Sequence, residues 1–258
     1  MNKNIDDAVH PFIGASSRVA ILAGHYCLSP ELAALSSDQE TEEACFACGA
    51  EIARKAQDQG AHAKLVLWIN DIGIDADERA RIKQDYRLPD NYQRILGDAG
   101  LNHGDVQVLF ESASRNKAST ALRQLAARQP HLFRKVPSTQ QGLVRCIDTV
   151  CMMDAEGRDA YVITGPGGAD LVVKEGPNPK CNLILATLFN RICADHRPGA
   201  IINVFNGIYI NRIALGVHVA RTLYGLAVPM VNLFCYETEI IPDDRDEATS
   251  FAPLAQLA

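Results

Sequence analysis

The sequence predicts a single α/β domain in which a parallel sheet carries helices on both faces. Apolar runs of about strand length alternate with segments of helical periodicity along the 258 residues, and this alternation is typical of βαβ units. Hydrophobic residues make up 47% of the chain and charged residues 22%, which suits one domain with a sizeable core. The longest apolar runs, residues 63–70 and 228–236, are too short to cross a membrane.

The elements are predicted in order from these patterns. Continuous apolar runs, as expected of buried parallel strands, lie at residues 18–23, 64–69, 106–110, 201–205 and 228–236. Helical spacing covers residues 41–59, 76–88, 91–99, 119–128, 182–193 and 209–224. Two further strands are expected at 144–152 and 160–164. The result is a Rossmann-like sheet in one domain spanning 1–258, with residues 1–15 and 243–258 expected to be mobile ends.

Composition also limits the compartment and the metal chemistry. Eight cysteines are scattered without the spacing of a disulfide scaffold, and the polar, acidic first residues do not resemble a signal peptide. We therefore expect a cytoplasmic protein with reduced thiols and no membrane partner. Cys45 and Cys48 have the spacing of half a zinc site, but nothing in the sequence completes it, so no metal is expected.

The segment 112–147 is strongly basic. It carries seven Lys and Arg residues and no acid, on a chain whose net charge is −6. Such a segment indicates a localised anion site, and RNA is one anion that would fit, because phosphate contacts dominate RNA affinity. The alternative is a solvated helix face balanced by acids nearby in space. The residues expected to contact phosphate or RNA here are Arg115, Lys117, Arg123 and Arg128.

Polar residues follow the predicted strands, where open parallel sheets bind their ligands. The candidates for catalysis are His25, Asp71 and Ser112, and those for substrate binding include Asn70, Asn206 and Asn211. Asp71 is equally well interpreted as a helix cap, and His25 as a structural histidine. Cys27, close to His25, is a candidate nucleophile without an identified orienting group.

Familiar phosphate motifs are absent from the sequence. It has neither the GxGxxG pattern nor a P-loop, and the glycines at 165–168 are best interpreted as a turn. The segment 176–180, GPNPK, brings Asn178 and Lys180 to the start of a predicted helix, where free backbone amides also attract anions. Asn178 is therefore a further candidate for substrate binding and Lys180 for phosphate or RNA; a plain helix-entry loop is the alternative.

Several of these segments resemble the catalytic domain of class I aminoacyl-tRNA synthetases of the tyrosyl and tryptophanyl type. Residues 91–125 are similar to that family's helix, turn, strand, serine and following helix. Residues 181–224 resemble its next unit, and the segment VLWINDIGI ends a strand at Asn70 and Asp71, where the family contacts its ligand. The resemblance covers about half the chain and implies the Rossmann-like fold and handling of an aminoacyl or adenylylated substrate.

The sequence departs from that family at its signatures. Only Gly24 and His25 resemble the HIGH motif, and residues 237–239, ETE, stand where a KMSKS-like sequence would follow the last strand. The chain thereby also resembles cyclodipeptide synthases, which implies use of aminoacyl-tRNA instead of ATP. That family's serine motif and Tyr-x-x-x-Glu pair are not identified here.

The leading expectation is thus a synthetase-like enzyme that handles an aminoacyl or adenylylated small molecule, with ATP or aminoacyl-tRNA as candidate substrates and no resident cofactor assigned. Asp71 would bind a substrate amine, and Lys117 or Lys180 would neutralise phosphate. Two alternatives remain. One is a non-catalytic descendant that binds RNA or a protein through the basic segment, and the other is an unrelated α/β hydrolase or transferase that uses Cys27 or His25.

Overall fold

The computed structural model describes residues 3–29, 39–71, 74–114, 127, 133–137, 149–153, 159–164, 179–207, 213, 216–217, 220–221, 224–236 and 239–242, with the side chains of 133–137, 149–153, 159–164 and 179–184 left aside. The chain divides into two compact units. The first comprises Met1–Ser112, Ile192–Ile208 and Val228–Asp243, and the second comprises Ala113–Arg191, Tyr209–Ala227 and Asp244–Ala258.

The first unit contains a six-stranded sheet flanked by helices. Its helices are α1 (Lys3–Gly14), α2 (Gln39–Asp58), α3 (Ala76–Gln84) and α4 (Asp90–Asp98), and a short 3₁₀ turn spans His103–Asp105. Its strands are β1 (Arg18–Cys27), β2 (His62–Asn70), β3 (Val106–Phe110), β7 (Ala200–Asn206), β8 (Met230–Tyr236) and β9 (Glu239–Pro242). The predicted α/β class and Rossmann-like sheet are confirmed.

The sheet has the strand order β3-β2-β1-β7-β8-β9. Every neighbouring pair is parallel except β8 with β9. The chain therefore winds outward from β1 through β2 to β3 and then returns to the other side of β1 to add β7 and β8. This reversal places a topological switch point between β1 and β7, where sheets of this kind leave a crevice beyond the carboxyl ends of the strands.

One face of the sheet, here called the first face, packs on α1 and α2. Its core contains the alternate residues of each strand, such as Ile21 and Ala23 in β1 and Leu65 and Leu67 in β2. The second face therefore carries the intervening residues. Helix α2 packs closely on the first face because Gly49 has no side chain: a Cβ at that position would lie 2.3 Å from the Cβ of Ala23.

Strand β1 is longer than predicted, and it contains a β-bulge. The sequence suggests that the strand ends at Ala23 and that Gly24 begins a turn; instead, pairing with β2 shifts between Leu22 and His25 and then continues to Cys27. Gly24 has φ +74°, a conformation that glycine adopts without steric cost, so it provides the extra residue of the bulge. The prediction that His25 lies in a loop after the strand is therefore wrong.

The amino-terminal segment also differs from expectation. Residues 1–15 are predicted to be a mobile end, but α1 covers most of them, and Ile5, Val9 and Ile13 are buried in the first-face core. Their spacing of four residues places all three on one helical stripe. Residues 243–258, the other predicted mobile end, lie outside the described residues.

The second unit contains an antiparallel sheet of order β4-β6-β5, formed by Phe133–Pro137, Asp159–Thr164 and Thr149–Met153. The two strands predicted at 144–152 and 160–164 correspond to β5 and β6, whereas β4 was not predicted. Helix α5 (Pro179–His196) belongs to the second unit up to Arg191 and to the first unit beyond it. The described residues of the predicted helix 209–224 are helical, and the predicted helix 119–128 lies largely outside the described part of the chain.

Candidate functional site

The carboxyl edge of the parallel strands brings together most of the polar residues singled out in the sequence. Asn70 ends β2, Asn206 ends β7, and Ser112 follows β3 after one residue. His25 lies in the last part of β1 instead of after it, and Asp71 follows β2 directly. All five belong to the first unit. Their functional roles remain predictions, but their common edge follows from the parallel pairing of the strands.

The bulge at Gly24 determines which way His25 points. Without the bulge, strict alternation would turn His25 to the first face, with Ala23. Because β1 has one extra residue, His25 instead pairs with Trp68, and the two rings lie on the second face with their centroids 4.4 Å apart. Trp68 also meets Phe205 of β7 edge-on, at 6.4 Å. A buried aromatic cluster of His25, Trp68 and Phe205 thus spans β2, β1 and β7 beside the switch point.

A buried carboxylate from α2 holds this bulge in place. The backbone N–H of His25 donates to Oε2 of Glu42 at 2.7 Å, and Glu42 is only 3% exposed. A bulge disrupts the hydrogen-bond ladder of the strand, so a buried amide there needs another acceptor. Glu42 supplies it. Because this hydrogen bond fixes the backbone at His25, it also fixes where the imidazole can reach.

Asp71 forms a second polar cluster, at the ends of β2 and β3. Its Oδ1 accepts the backbone N–H of Ser112 at 2.8 Å, and its Oδ2 accepts the Ser112 hydroxyl. The Lys83 ammonium lies 2.9 Å from Oδ2 and also donates to the serine hydroxyl. Arg79, one turn earlier in α3, donates to the backbone carbonyl of Asp71 at 3.1 Å. Both oxygens of the carboxylate are therefore engaged within the protein.

These contacts decide the charge state of Asp71 and restrict its role. Burial alone would raise the pKa of the carboxyl, but hydrogen bonds from Ser112 and Lys83 outweigh it, so the pKa lies below its ordinary value of 3.8. The carboxylate thus stays ionised, and its side chain has no exposed surface. The expectation that Asp71 binds a substrate amine stays a prediction, and such an amine would have to compete with these internal contacts. The contacts tie the end of β2 to Ser112, just after β3.

Asn206 lies at the expected edge but on the other face from His25. It pairs in register with Cys235 of β8, whose side chain belongs to the first-face core. Neighbours in register point to the same side of a sheet. Contrary to the prediction from the sequence, His25 and Asn206 therefore do not converge in one cleft. Asn70, by contrast, shares the second face with His25 and Trp68.

Several predicted site residues lie beyond what the structure describes. Lys180 is within α5, but its side chain is not among those described. The other predicted residues fall outside the described residues altogether, so their assignment to substrate, phosphate or RNA stays a prediction. They are Asn178, Asn211, Arg115, Lys117, Arg123 and Arg128.

Three further residues are placed at the site by the structure and were missed in the sequence. Trp68 and Asn203 lie inside apolar strand segments, where they look like ordinary core positions. Lys83 lies on a helix four residues after Arg79, which looks like a solvated face. Of the three, only Asn203 could have been recognised from the sequence, because an amide within a strand buried on both faces needs a hydrogen-bond partner.

In the described part of the chain, no group of three or more His, Cys, Asp or Glu residues is arranged to hold a metal ion. Cys45 and Cys48 are buried on α2. A hydrogen bond with Cys235 and burial raise the pKa of the Cys45 thiol, and burial raises the pKa of Cys48 to about 12. These thiols are therefore protonated core side chains.

Comparison of the chain with protein-family models and with curated proteins found no match. Among the described helices, none is long and apolar enough to cross a membrane.

Proposed function

We propose that this protein is a synthetase-like enzyme that binds an aminoacyl or adenylylated small molecule at the carboxyl edge of β1 and β7. The observation that carries the proposal is the strand order, which reverses between these two strands. Open parallel sheets with such a reversal bind nucleotides and related ligands in the crevice beyond it. The resemblance of the sequence to synthetase catalytic domains supports the same ligand class.

The second-face residues near this edge supply the chemistry that such a ligand requires. Asn70, half-buried at the end of β2, offers an amide that can donate and accept hydrogen bonds. The imidazole of His25 is the group suited to proton transfer during an acyl or adenylyl transfer. Trp68 packs against this imidazole and, with Phe205, forms its apolar wall.

In this proposal the cluster around Asp71 supports the site without contacting the ligand through its carboxylate. It holds the end of β2, and hence Asn70, against the segment after β3. Lys83 and Arg79 keep 29% and 27% of their side-chain surface exposed, so both cations still face solvent at the edge where a phosphate would approach.

Calorimetric titration tests the proposal with four ligands: ATP, AMP, a non-hydrolysable aminoacyl-adenylate analogue and aminoacyl-tRNA. We expect at least one adenylylated or aminoacyl ligand to bind the wild-type protein. Asn70→Asp should weaken that binding about tenfold or more, because it places a carboxylate beside an anionic ligand and removes a donor.

The matched control is Asn102→Asp. Asn102 caps the 3₁₀ turn before β3, at the opposite edge of the sheet, where Asp caps equally well. Its affinity should equal that of the wild type. If none of the four ligands binds, or if both variants change affinity equally, the proposed function is wrong.

One observation favours a second candidate, a transferase or hydrolase with a cysteine nucleophile. After the bulge, Cys27 and His25 lie two residues apart on β1, and their register partners in β2 are Asn70 and Trp68. They therefore share the second face, and a histidine beside a cysteine is the usual way to activate a thiol. Cys27→Ser should abolish turnover in that case and leave ligand affinity intact; full activity of the variant would exclude it.

A further inference from the structure

Two buried polar atoms on the second face have no hydrogen-bond partner among the described residues. They are the indole Nε1 of Trp68 and the amide Oδ1 of Asn203, in side chains of residues only 2% and 0% exposed. Proteins satisfy nearly all buried donors and acceptors, because an unpaired one loses its hydrogen bonds to water without replacement. One of these atoms is a donor and the other an acceptor.

Both residues belong to the surface beside the switch point. Asn203 is in register with Leu22 of β1, which lies between the first-face residues Ile21 and Ala23, so Asn203 faces the second side. Trp68 reaches toward the same strand, because its ring meets Phe205, two residues after Asn203, at 6.4 Å. The two side chains therefore lie on the same face of the sheet, on either side of β1.

A neighbouring amide fixes the orientation of Asn203. Its Nδ2 donates to Oδ1 of Asn232 in β8 at 3.0 Å. Turning the Asn203 amide over would bring two carbonyl oxygens together, unless Asn232 turned as well. With the two amides in this arrangement, Asn203 presents an acceptor, whereas Trp68 always presents a donor.

We propose that Trp68 and Asn203 recognise the base of an adenine nucleotide. This inference rests on the proposed function and specifies which part of the adenylylated substrate these residues contact. Adenine carries an acceptor, N7, next to a donor, the N6 amino group, whereas guanine carries two acceptors, N7 and O6, on the same edge. On this edge, adenine but not guanine offers both an acceptor for the indole N–H and a donor for the asparagine oxygen.

The chain contains a single tryptophan, so its fluorescence reports directly on this position. We expect AMP to change the Trp68 emission and to bind more tightly than GMP or ribose 5-phosphate, each by about tenfold, the effect of one or two lost hydrogen bonds. Trp68→Phe, which keeps an aromatic ring and removes the N–H, should weaken AMP about tenfold when binding is measured by calorimetry.

The asparagine offers a matched pair of variants. Asn203→Leu and Asn232→Leu both remove the Asn203–Asn232 hydrogen bond, but only Asn203→Leu removes the unpaired oxygen. Asn203→Leu should therefore lose about tenfold in AMP affinity, and Asn232→Leu should lose clearly less, because the Asn203 oxygen remains although its orientation is no longer held. Thermal unfolding of each variant without ligand separates loss of binding from loss of folding, and Trp68→Phe remains informative if Asn203→Leu does not fold.

Several outcomes overturn this inference. Equal affinity for AMP, GMP and ribose 5-phosphate, or unchanged AMP affinity in Trp68→Phe, would show that the two atoms hold an internal water only. Absence of AMP binding to the wild-type protein would also overturn it. The proposed function survives the loss of AMP binding if the aminoacyl-adenylate analogue or aminoacyl-tRNA still binds, so the two failures are distinguishable.

Discussion

Replacing Asp71 with asparagine tests the role assigned to its cluster. Asparagine keeps the shape of the side chain and one acceptor but removes the negative charge. In the wild type, that charge strengthens the hydrogen bonds from the Ser112 amide and hydroxyl and from the Lys83 ammonium. The variant retains weaker forms of some of these contacts and leaves Lys83 and Arg79 without the carboxylate that they contact.

The expected loss follows from the exposure of the partners. Hydrogen bonds to charged groups exceed neutral ones by about 1 kcal/mol each, and breaking a fully buried ion pair costs about 3–5 kcal/mol. Lys83 is 29% exposed, so its freed charge can reach water and the larger figure does not apply. We expect Asp71→Asn to lose about 2–3 kcal/mol of unfolding free energy, or roughly 5–10 °C in Tm.

The same contacts predict how this loss depends on pH. The pKa of Asp71 lies below 3.8 in the folded protein, so its ionised form stabilises the fold fully at pH values well above the unfolded pKa. That contribution is lost as the pH falls below about 4 toward the folded-state pKa. The stability difference between wild type and Asp71→Asn should therefore be constant near neutral pH and shrink below pH 4.

Chemical denaturation at pH 7 and at a series of acidic pH values measures both effects. Asp75→Asn is the matched control, because Asp75 is an exposed N-cap of α3 that accepts the amides of Asp77 and Glu78, and asparagine caps a helix equally well. Its stability should remain close to that of the wild type. If Asp71→Asn is no less stable than Asp75→Asn, or if its deficit persists unchanged below pH 3, the reasoning about Asp71 is refuted.

Three further predictions concern packing and backbone. Gly49→Ala should lower the free energy of unfolding by about 1–3 kcal/mol, because its Cβ overpacks against β1. Gly97→Ala, in α4, should raise it by up to about 1 kcal/mol, because no atom lies within 4 Å of the added Cβ. Urea unfolding measures both changes. Gly24→Ala should lower the free energy of unfolding more than Gly60→Ala does. Both glycines have positive φ, but only a Cβ at Gly24 would meet backbone, at 3.3 Å. Equal losses in the two variants would count against a tightly held bulge. Three buried thiols should not react with Ellman's reagent at pH 8 until the protein unfolds: Cys45, Cys48 and Cys235. Rapid labelling of any of them in the folded protein, identified by peptide mass spectrometry, would contradict their placement.

The sheet was predictable because its signal is local. Each parallel strand is buried on both faces and so appears in the sequence as a continuous apolar run, as in residues 64–69 and 201–205. The bulge in β1 was not predictable in the same way. Gly24 is compatible with a turn or with a bulge, and the choice depends on Glu42, which lies 17 residues away in sequence from the His25 amide it accepts.

The site was only partly predictable, since its contacts are long-range. The rule that ligands bind beyond strand ends correctly selected Asn70, Asp71 and Ser112 as one neighbourhood. It could not show that Ser112, which lies 41 residues from Asp71 in sequence, donates a hydrogen bond to the Asp71 carboxylate. Nor could it show that Asn203, inside an apolar strand, leaves an acceptor unpaired.

The measurement that tests the central claim most directly is a crystal structure of the protein with a non-hydrolysable aminoacyl-adenylate analogue. We predict that the analogue lies beyond the carboxyl ends of β1 and β7, on the second face, with Asn70 and His25 in contact with it. An analogue bound at the amino edge of the sheet or on the α1–α2 face, or crystals that take up none at saturating concentration, would contradict the assignment of this edge as the active site.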